Sequence, residues 1–187
     1  MNTAVSPPAL IVFCGLPGVG KTSIARRVAS AAGAAYLRID SIEQALARCT
    51  GQAVTGPEGY AIAQALAAEN LRLGRRVVAD AVNAGAAARA GWVRVAQDLG
   101  APCRFVHLHC SREEEHRRRV RERTTDLAGH VPPSWSQIAA LAMDPPEPDA
   151  LVLDTAEGSA EALAAAVLAR LGLSGVSMGA GASESPR

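Results

Sequence analysis

Of the nineteen lysine and arginine residues in the chain, only Lys21 is a lysine. It lies in the run Gly15-Leu16-Pro17-Gly18-Val19-Gly20-Lys21-Thr22, followed by Ser23. The spacing G-x-x-x-x-G-K-T is that of a phosphate-binding loop, or P-loop. Glycines at 15, 18 and 20 allow positive φ and a close backbone approach, so consecutive N–H groups can turn inward on phosphate oxygens. A helix starting near Gly20 adds unpaired N–H groups and the positive end of its dipole at the same point. Lys21 supplies a compact ammonium to the β and γ oxygens, where the broad guanidinium fork fits poorly. The Thr22 hydroxyl stands where Mg²⁺ would sit. The expected ligand is a di- or triphosphate, and the loop itself selects neither base nor sugar.

Other groups with chemistry to offer lie downstream. Asp80 follows the apolar run Val77-Val78-Ala79 and can hold Mg²⁺ through water opposite Thr22. It can also cap the following turn with Asn83. Asp40 follows Ala34-Ala35-Tyr36-Leu37-Arg38-Ile39 and can accept the proton of a hydroxyl as it attacks a γ-phosphate. Its local alternative is to serve as a helix N-cap in place of Ser41. Asp154 reads as structural or as a wall of the nucleotide pocket. From Arg112 to Arg123 the chain is dense in arginine and glutamate. Glu113, Glu114 and Glu115 each meet an arginine four residues on, whereas Arg117 with Arg121, and Arg119 with Arg123, are like-charge neighbours that favour an anion between them. A cover bringing Arg119 and Arg123 onto a transferring phosphate would use that surplus and exclude water. The bland reading is a solvated charged face.

The elements that must position these groups follow from the hydrophobic pattern. Leu10 to Cys14 reads as a buried strand and Ser23 to Ala32 as a helix ended by Gly33. Ser41 with Gln44 suggests a capping box for a helix to about Arg48, and Ser111 with Glu114 suggests another. Pro57-Glu58 opens a helix through Leu73, an alanine-rich helix spans about Ala84 to Leu99, and a last helix spans Ser159 to Leu171. Further strands are predicted at Arg104 to His109 and Ala150 to Leu153, and Ser134 to Gln137 starts a short helix. Five strands alternating with helices predict an α/β domain, a mostly parallel five-stranded sheet covered on both faces in three layers. Ligands in such sheets bind outside the carboxyl ends of the strands, where Gly15, Asp40, Asp80, Ser111 and Asp154 fall.

Composition narrows the partners. The 187 residues are 49% apolar and 20% charged with a net charge of +1, which fits one globular domain and gives no global pull toward nucleic acid. Aromatic residues make up only 3%, so stacking platforms for single strands are not evident. The four cysteines form no metal spacing and read as small reduced hydrophobes in a cytoplasmic protein. His107, His109 and His116 have no metal-ligand spacing, and His130 is a lone loop histidine. Trp135, beside Pro132 and Pro133, is expected to pack the hinge of the cover rather than touch substrate. No signal peptide or membrane span is evident. Residues 1–9 read as a flexible lead-in, 10–172 as the domain with a lid at about 111–133, and 173–187 as a disordered tail. The oligomeric state is open.

With these motifs in place, the chain resembles the small P-loop kinases over roughly residues 9 to 172. The group includes zeta toxin, gluconate kinase, chloramphenicol phosphotransferase, adenylylsulfate kinase and polynucleotide 5′-hydroxyl kinase domains. The resemblance implies strand order 2-3-1-4-5, ATP on the loop, an aspartate after the second strand as base, and paired lid arginines. Asp40 matches the base position, although Glu43 and Gln44 stand where an arginine usually follows. Arg119-Val120-Arg121-Glu122-Arg123 looks like the RxxxR lid pattern. Asn83 and Arg89 match a region that often faces substrate. The acceptor is expected in the space bounded by Asp40, the Cys49 to Tyr60 loop and Asn83 to Arg89. The implied activity is an ATP- and Mg²⁺-dependent phosphotransferase acting on a hydroxyl of a small polar molecule. The alternatives are a nucleotide-dependent ATPase or regulatory switch, and a polynucleotide 5′-hydroxyl kinase.

Overall fold

Leu10 to Cys14 has no charged side chain to keep wet, and it becomes β1 (Leu10–Cys14), with every residue buried. The structure, a computed structural model, describes residues 7–173. β1 lies at the centre of a five-stranded sheet with β2 (Ala35–Arg38), β3 (Val77–Asp80), β4 (Cys103–His109) and β5 (Leu151–Asp154), in the order β2-β3-β1-β4-β5. All four pairings are parallel. Such a sheet must be covered on both faces. Ile11 and Phe13 point to one face, where α1 (Lys21–Ala32) and α7 (Ala160–Arg170) contribute Ile24, Val28, Ala164 and Val167. Leu10, Val12 and Cys14 point to the other, against α3 (Glu58–Arg72) and α4 (Ala86–Asp98) with Ala63, Ala67 and Trp92. Burial pushes the Cys14 and Cys103 thiols up to about 12, so both are inert hydrophobes.

Two expected capping boxes are absent. α2 (Ile39–Thr50) begins directly after β2 with extended Arg38 as its N-cap, so Ser41 is already inside the helix. Asp40 therefore sits in the first turn of α2 rather than at the strand tip, where the positive helix end favours a carboxylate. α5 (Glu113–Glu122) starts after Arg112, and neither N-cap side chain accepts a capping bond. Three glutamates in its first turn place negative charge at that helix end instead. The short α6 (Trp135–Ala139) does carry a capping box, made by Ser134 and Gln137. At the chain ends, Ala9 and Leu173 are buried; most of both segments read as flexible, residues 1–6 and 174–187, lies outside the described residues.

Candidate active site

The P-loop connects β1 to α1 and bends where only glycine fits. Gly15 has φ +140°, and a Cβ there would lie 2.2 Å from the Leu108 carbonyl oxygen on β4. Gly18 has φ +85°, and its Cβ would lie 2.5 Å from Val120 Cγ2 on α5. The arginine helix thus rests directly on the loop. His116 Nε2 lies 2.8 Å from the Pro17 carbonyl oxygen and fixes that contact. The His116 and Trp135 rings meet at right angles, 5.1 Å between centroids, and the Arg117 guanidinium lies over the Trp135 ring, 5.2 Å from its centroid. Trp135 accordingly packs α6 onto α5.

Lys21 is 8% exposed, and its ammonium donates to the Leu16 carbonyl at 2.9 Å. Burial pushes its pKa down, against the opposing pull of Asp80 and Asp40. Thr22 Oγ1 donates to Asp80 Oδ2 at 2.8 Å, and the Tyr36 hydroxyl donates to the same oxygen at 2.6 Å. Burial and the Asp80 charge push the Tyr36 phenol up, which keeps it a donor. An adjacent hydroxyl and carboxylate form the hard oxygen pair that suits Mg²⁺.

These groups open on a cavity of about 720 Å³ lined by Gly18, Gly20, Lys21, Thr22, Ser23, Asp40, Asp80, Arg38, Arg119 and Arg123. A second cavity of about 610 Å³ lies between α2 and residues 129–131, walled by Glu43, Gln44, Arg48 and residues 51–54. Asp40 and His130 line both.

The two lid arginines behave differently. Arg119 donates to Glu115 at 2.8 Å and to the Thr155 hydroxyl and carbonyl at 3.0 and 2.9 Å, which ties α5 to the loop after β5. Arg123 has a buried Nε with no hydrogen-bond partner, and burial pushes its pKa down. Arg117 pairs with Glu113 as spaced, but Arg118 chooses Glu115 and Glu122 over Glu114. Asp154 is structural: its Oδ1 accepts from Ser111 N and Ala156 N, which holds its carboxyl down at about 2.

Asn83, Arg89 and Tyr60, expected at the substrate, are absent from the lining of both cavities. Asn83, fully buried at φ 49°, donates to the Phe13 carbonyl and accepts from the Trp92 indole, while its N–H donates to the Tyr60 hydroxyl. Arg89 is 3% exposed, pairs with Glu147 and donates to the carbonyls of Asn83, Ala84 and Pro145. Their polar atoms are spent on the interior. Residues the sequence did not single out for the site are Tyr36, Arg38 and Asp126. Arg38 donates to Asp126 at 2.7 Å and reaches Asp40 at 3.5 Å, and Arg26 pairs with the same Asp126. Those two arginines hold the Asp126 carboxyl down at about 2.

Residues 10–140, from β1 through α6, match the model of a family described as AAA domain. The chain belongs to this AAA domain family. Among solved structures, a gluconokinase from Sinorhizobium meliloti 1021 is 26% identical over 88% of this chain and 93% of its own, with a TM-score of 0.61. Two others share the fold. Mycobacterium tuberculosis APS kinase CysC, in complex with AMPPNP and APS, is 22% identical over 89% of this chain and 99% of its own, with a TM-score of 0.62. Chaetomium thermophilum Kti12, in complex with ADP-AlF3, is 18% identical over 90% and 100%, with a TM-score of 0.65. This AAA domain protein thus has the P-loop kinase fold expected from its motifs, and it belongs with the nucleotide-dependent kinases and ATPases. No helix among its described residues is long and apolar enough to cross a membrane.

Proposed function

We propose that the protein transfers the γ-phosphoryl group of ATP to a hydroxyl of a small polar molecule. The observation that carries this reading is the position of Asp40, which lines both the cavity over the P-loop and the groove along α2. A carboxylate at that junction can take a proton from a hydroxyl held in the groove. The acceptor oxygen then bonds to the γ-phosphorus as the bond to the bridging oxygen of ADP breaks, and the electron pair leaves with ADP. The hydroxyl proton passes to Asp40.

The backbone from Gly15 through Ser23, with Leu16, Pro17 and Val19 in the turn, cradles the phosphates. The Lys21 ammonium holds the β and γ oxygens, exchanging the Leu16 carbonyl for them. Thr22 and Asp80 are the residues to hold Mg²⁺, which when bound neutralises charge on the β and γ oxygens. Arg123 lines the same cavity and serves the charge in transfer. Arg119 lines that cavity while bracing the lid, which we assign to residues 111–133. Acceptor recognition falls to Glu43, Gln44, Arg48 and residues 51–54 rather than to Asn83, Arg89 and Tyr60. The gluconokinase neighbour supports a small polar acceptor. The near-neutral charge and the scarcity of aromatics argue against a polynucleotide. The unbridged cysteines fit a reducing compartment such as the cytoplasm.

The test is a screen of polyols, amino alcohols and hydroxy acids for acceptor-dependent ADP release, with wild type and Asp40→Asn side by side. The expected result is an acceptor that raises ADP release in wild type only, with ATP affinity shared by both proteins. ADP release that no hydroxyl compound raises, and that Asp40→Asn leaves unchanged, would favour an ATP-driven switch.

A further inference from the structure

Arg38 is a nearly buried cation in the wall of the P-loop cavity. Tyr36 and Arg38 are two residues apart on β2, so they share a face. The Tyr36 hydroxyl reaches Asp80, and Arg26 of α1 lies over its ring, which makes this the face of the P-loop helix. The register sets Arg38 directly beside Asp80, one strand over from the oxygen that Thr22 contacts. Its side chain is only 10% exposed and lines the cavity over the loop. Its Nε is buried with no hydrogen-bond partner, and Nη2 reaches Asp40 only at 3.5 Å. Burial works against its charge, and Asp126 with Asp40 outweighs that cost.

Arg38 is not alone. Arg123 lines the same cavity, also carries a buried Nε without a partner, and lies near enough to Arg38 for each to repel the other's charge. Lys21 lines it too, and the charge of Asp40 supports all three cations. Two guanidinium groups lining one cavity repel unless an anion with several oxygens lies between them. Asp126 satisfies Nη1 of Arg38 from the lid side, and the 3.5 Å contact of Nη2 with Asp40 leaves that nitrogen free for a better acceptor.

We infer that Arg38 is a catalytic residue whose guanidinium contacts the γ-phosphoryl oxygens in flight between ATP and the hydroxyl at Asp40, opposite Arg123. This rests on the phosphotransfer reading. In-line transfer spreads charge over three equatorial oxygens, and donors already fixed in a water-poor site stabilise that charge most. Arg38 makes and breaks no covalent bond; it donates N–H groups to oxygens whose charge grows as the bridging bond opens. Its place on a sheet strand holds it rigid, whereas Arg123 arrives from the lid.

The rival role is mechanical, with Arg38 serving only to hold Asp126 and thus the lid. Trapping of a transition-state mimic separates the two. The full chain is incubated with ADP, Mg²⁺, aluminium fluoride and the acceptor found by the screen, and nucleotide retention is compared with ADP alone. Arg38→Met and Arg38→Lys should bind ADP within about 3-fold of wild type yet lose roughly 100-fold of the fluoride-dependent tightening. Asp126→Ala should lose several times less. Wild-type trapping in both Arg38 variants would overturn the inference, as would an Asp126→Ala defect equal to that of Arg38→Met. Loss of ADP binding in both Arg38 variants would make the residue structural and equally overturn it. Absence of trapping in wild type itself would instead sink the phosphotransfer reading.

Discussion

At the scale of single residues, Lys21 shows how composition, position and geometry converge. It is the only lysine, it ends the glycine loop, and its buried ammonium is satisfied by one carbonyl of that loop. A nucleotide phosphate has only that neutral acceptor to displace, and an ammonium bound to a charged phosphate oxygen is held more strongly than one bound to a carbonyl. Lys21→Ala should therefore weaken ATP binding by about 2 kcal/mol, roughly 30-fold, as measured by calorimetry. Unchanged affinity would remove the loop from the account. Lys21 and Thr22 were legible because their roles follow from spacing along the chain. Arg38 and Tyr36 were not, since their partners Asp126 and Asp80 lie 88 and 44 residues away in sequence.

At the scale of elements, the contact of α5 with the P-loop is the feature that local sequence could least supply. The charged helix was legible from its glutamates and arginines, but its seat on the loop depends on His116 and Val120, which look unremarkable in sequence. Gly18 has to be glycine for two separate reasons, its positive φ and the closeness of Val120. Gly18→Ala should lift α5 and reduce nucleotide affinity at least 10-fold. Adding Val120→Ala removes the clash but not the strain of a left-handed alanine, about 1–2 kcal/mol, so the double variant should recover only part of the loss. Full recovery, or no coupling between the two, would place α5 elsewhere. The Ser41 and Ser111 boxes failed as expectations because each helix began at a different residue, which capping patterns alone do not fix.

At the scale of the whole molecule, the parallel sheet with two apolar faces followed from alternation of strand and helix patterns, whereas its strand order was expected only from the resemblance to the small P-loop kinases. The polar seam that locks α4 to β1 followed from neither. Asn83 joins Phe13, Trp92 and Tyr60, and Arg89 joins Glu147, which also holds His107 at 2.9 Å. A signal was present, since a tryptophan on an alanine-rich core helix needs a partner for its indole N–H. Asn83→Ala strands that N–H and the Phe13 carbonyl in the interior, which should lower stability by about 2–4 kcal/mol in urea unfolding. Below its midpoint the variant should bind ATP and turn over acceptor as wild type does. A large rise in acceptor KM with unchanged stability would return Asn83 to the substrate site.

The central claim is that the γ-phosphoryl leaves ATP for a hydroxyl seated between Asp40 and the α2 groove. Its most direct test follows that group by ³¹P NMR, with wild-type protein, ATP, Mg²⁺ and the acceptor that most raises ADP release. The account predicts a phosphomonoester signal that grows in step with ADP and is absent from the same mixture with Asp40→Asn. Inorganic phosphate accumulating in step with ADP, with no new ester in the wild-type mixture, would contradict it.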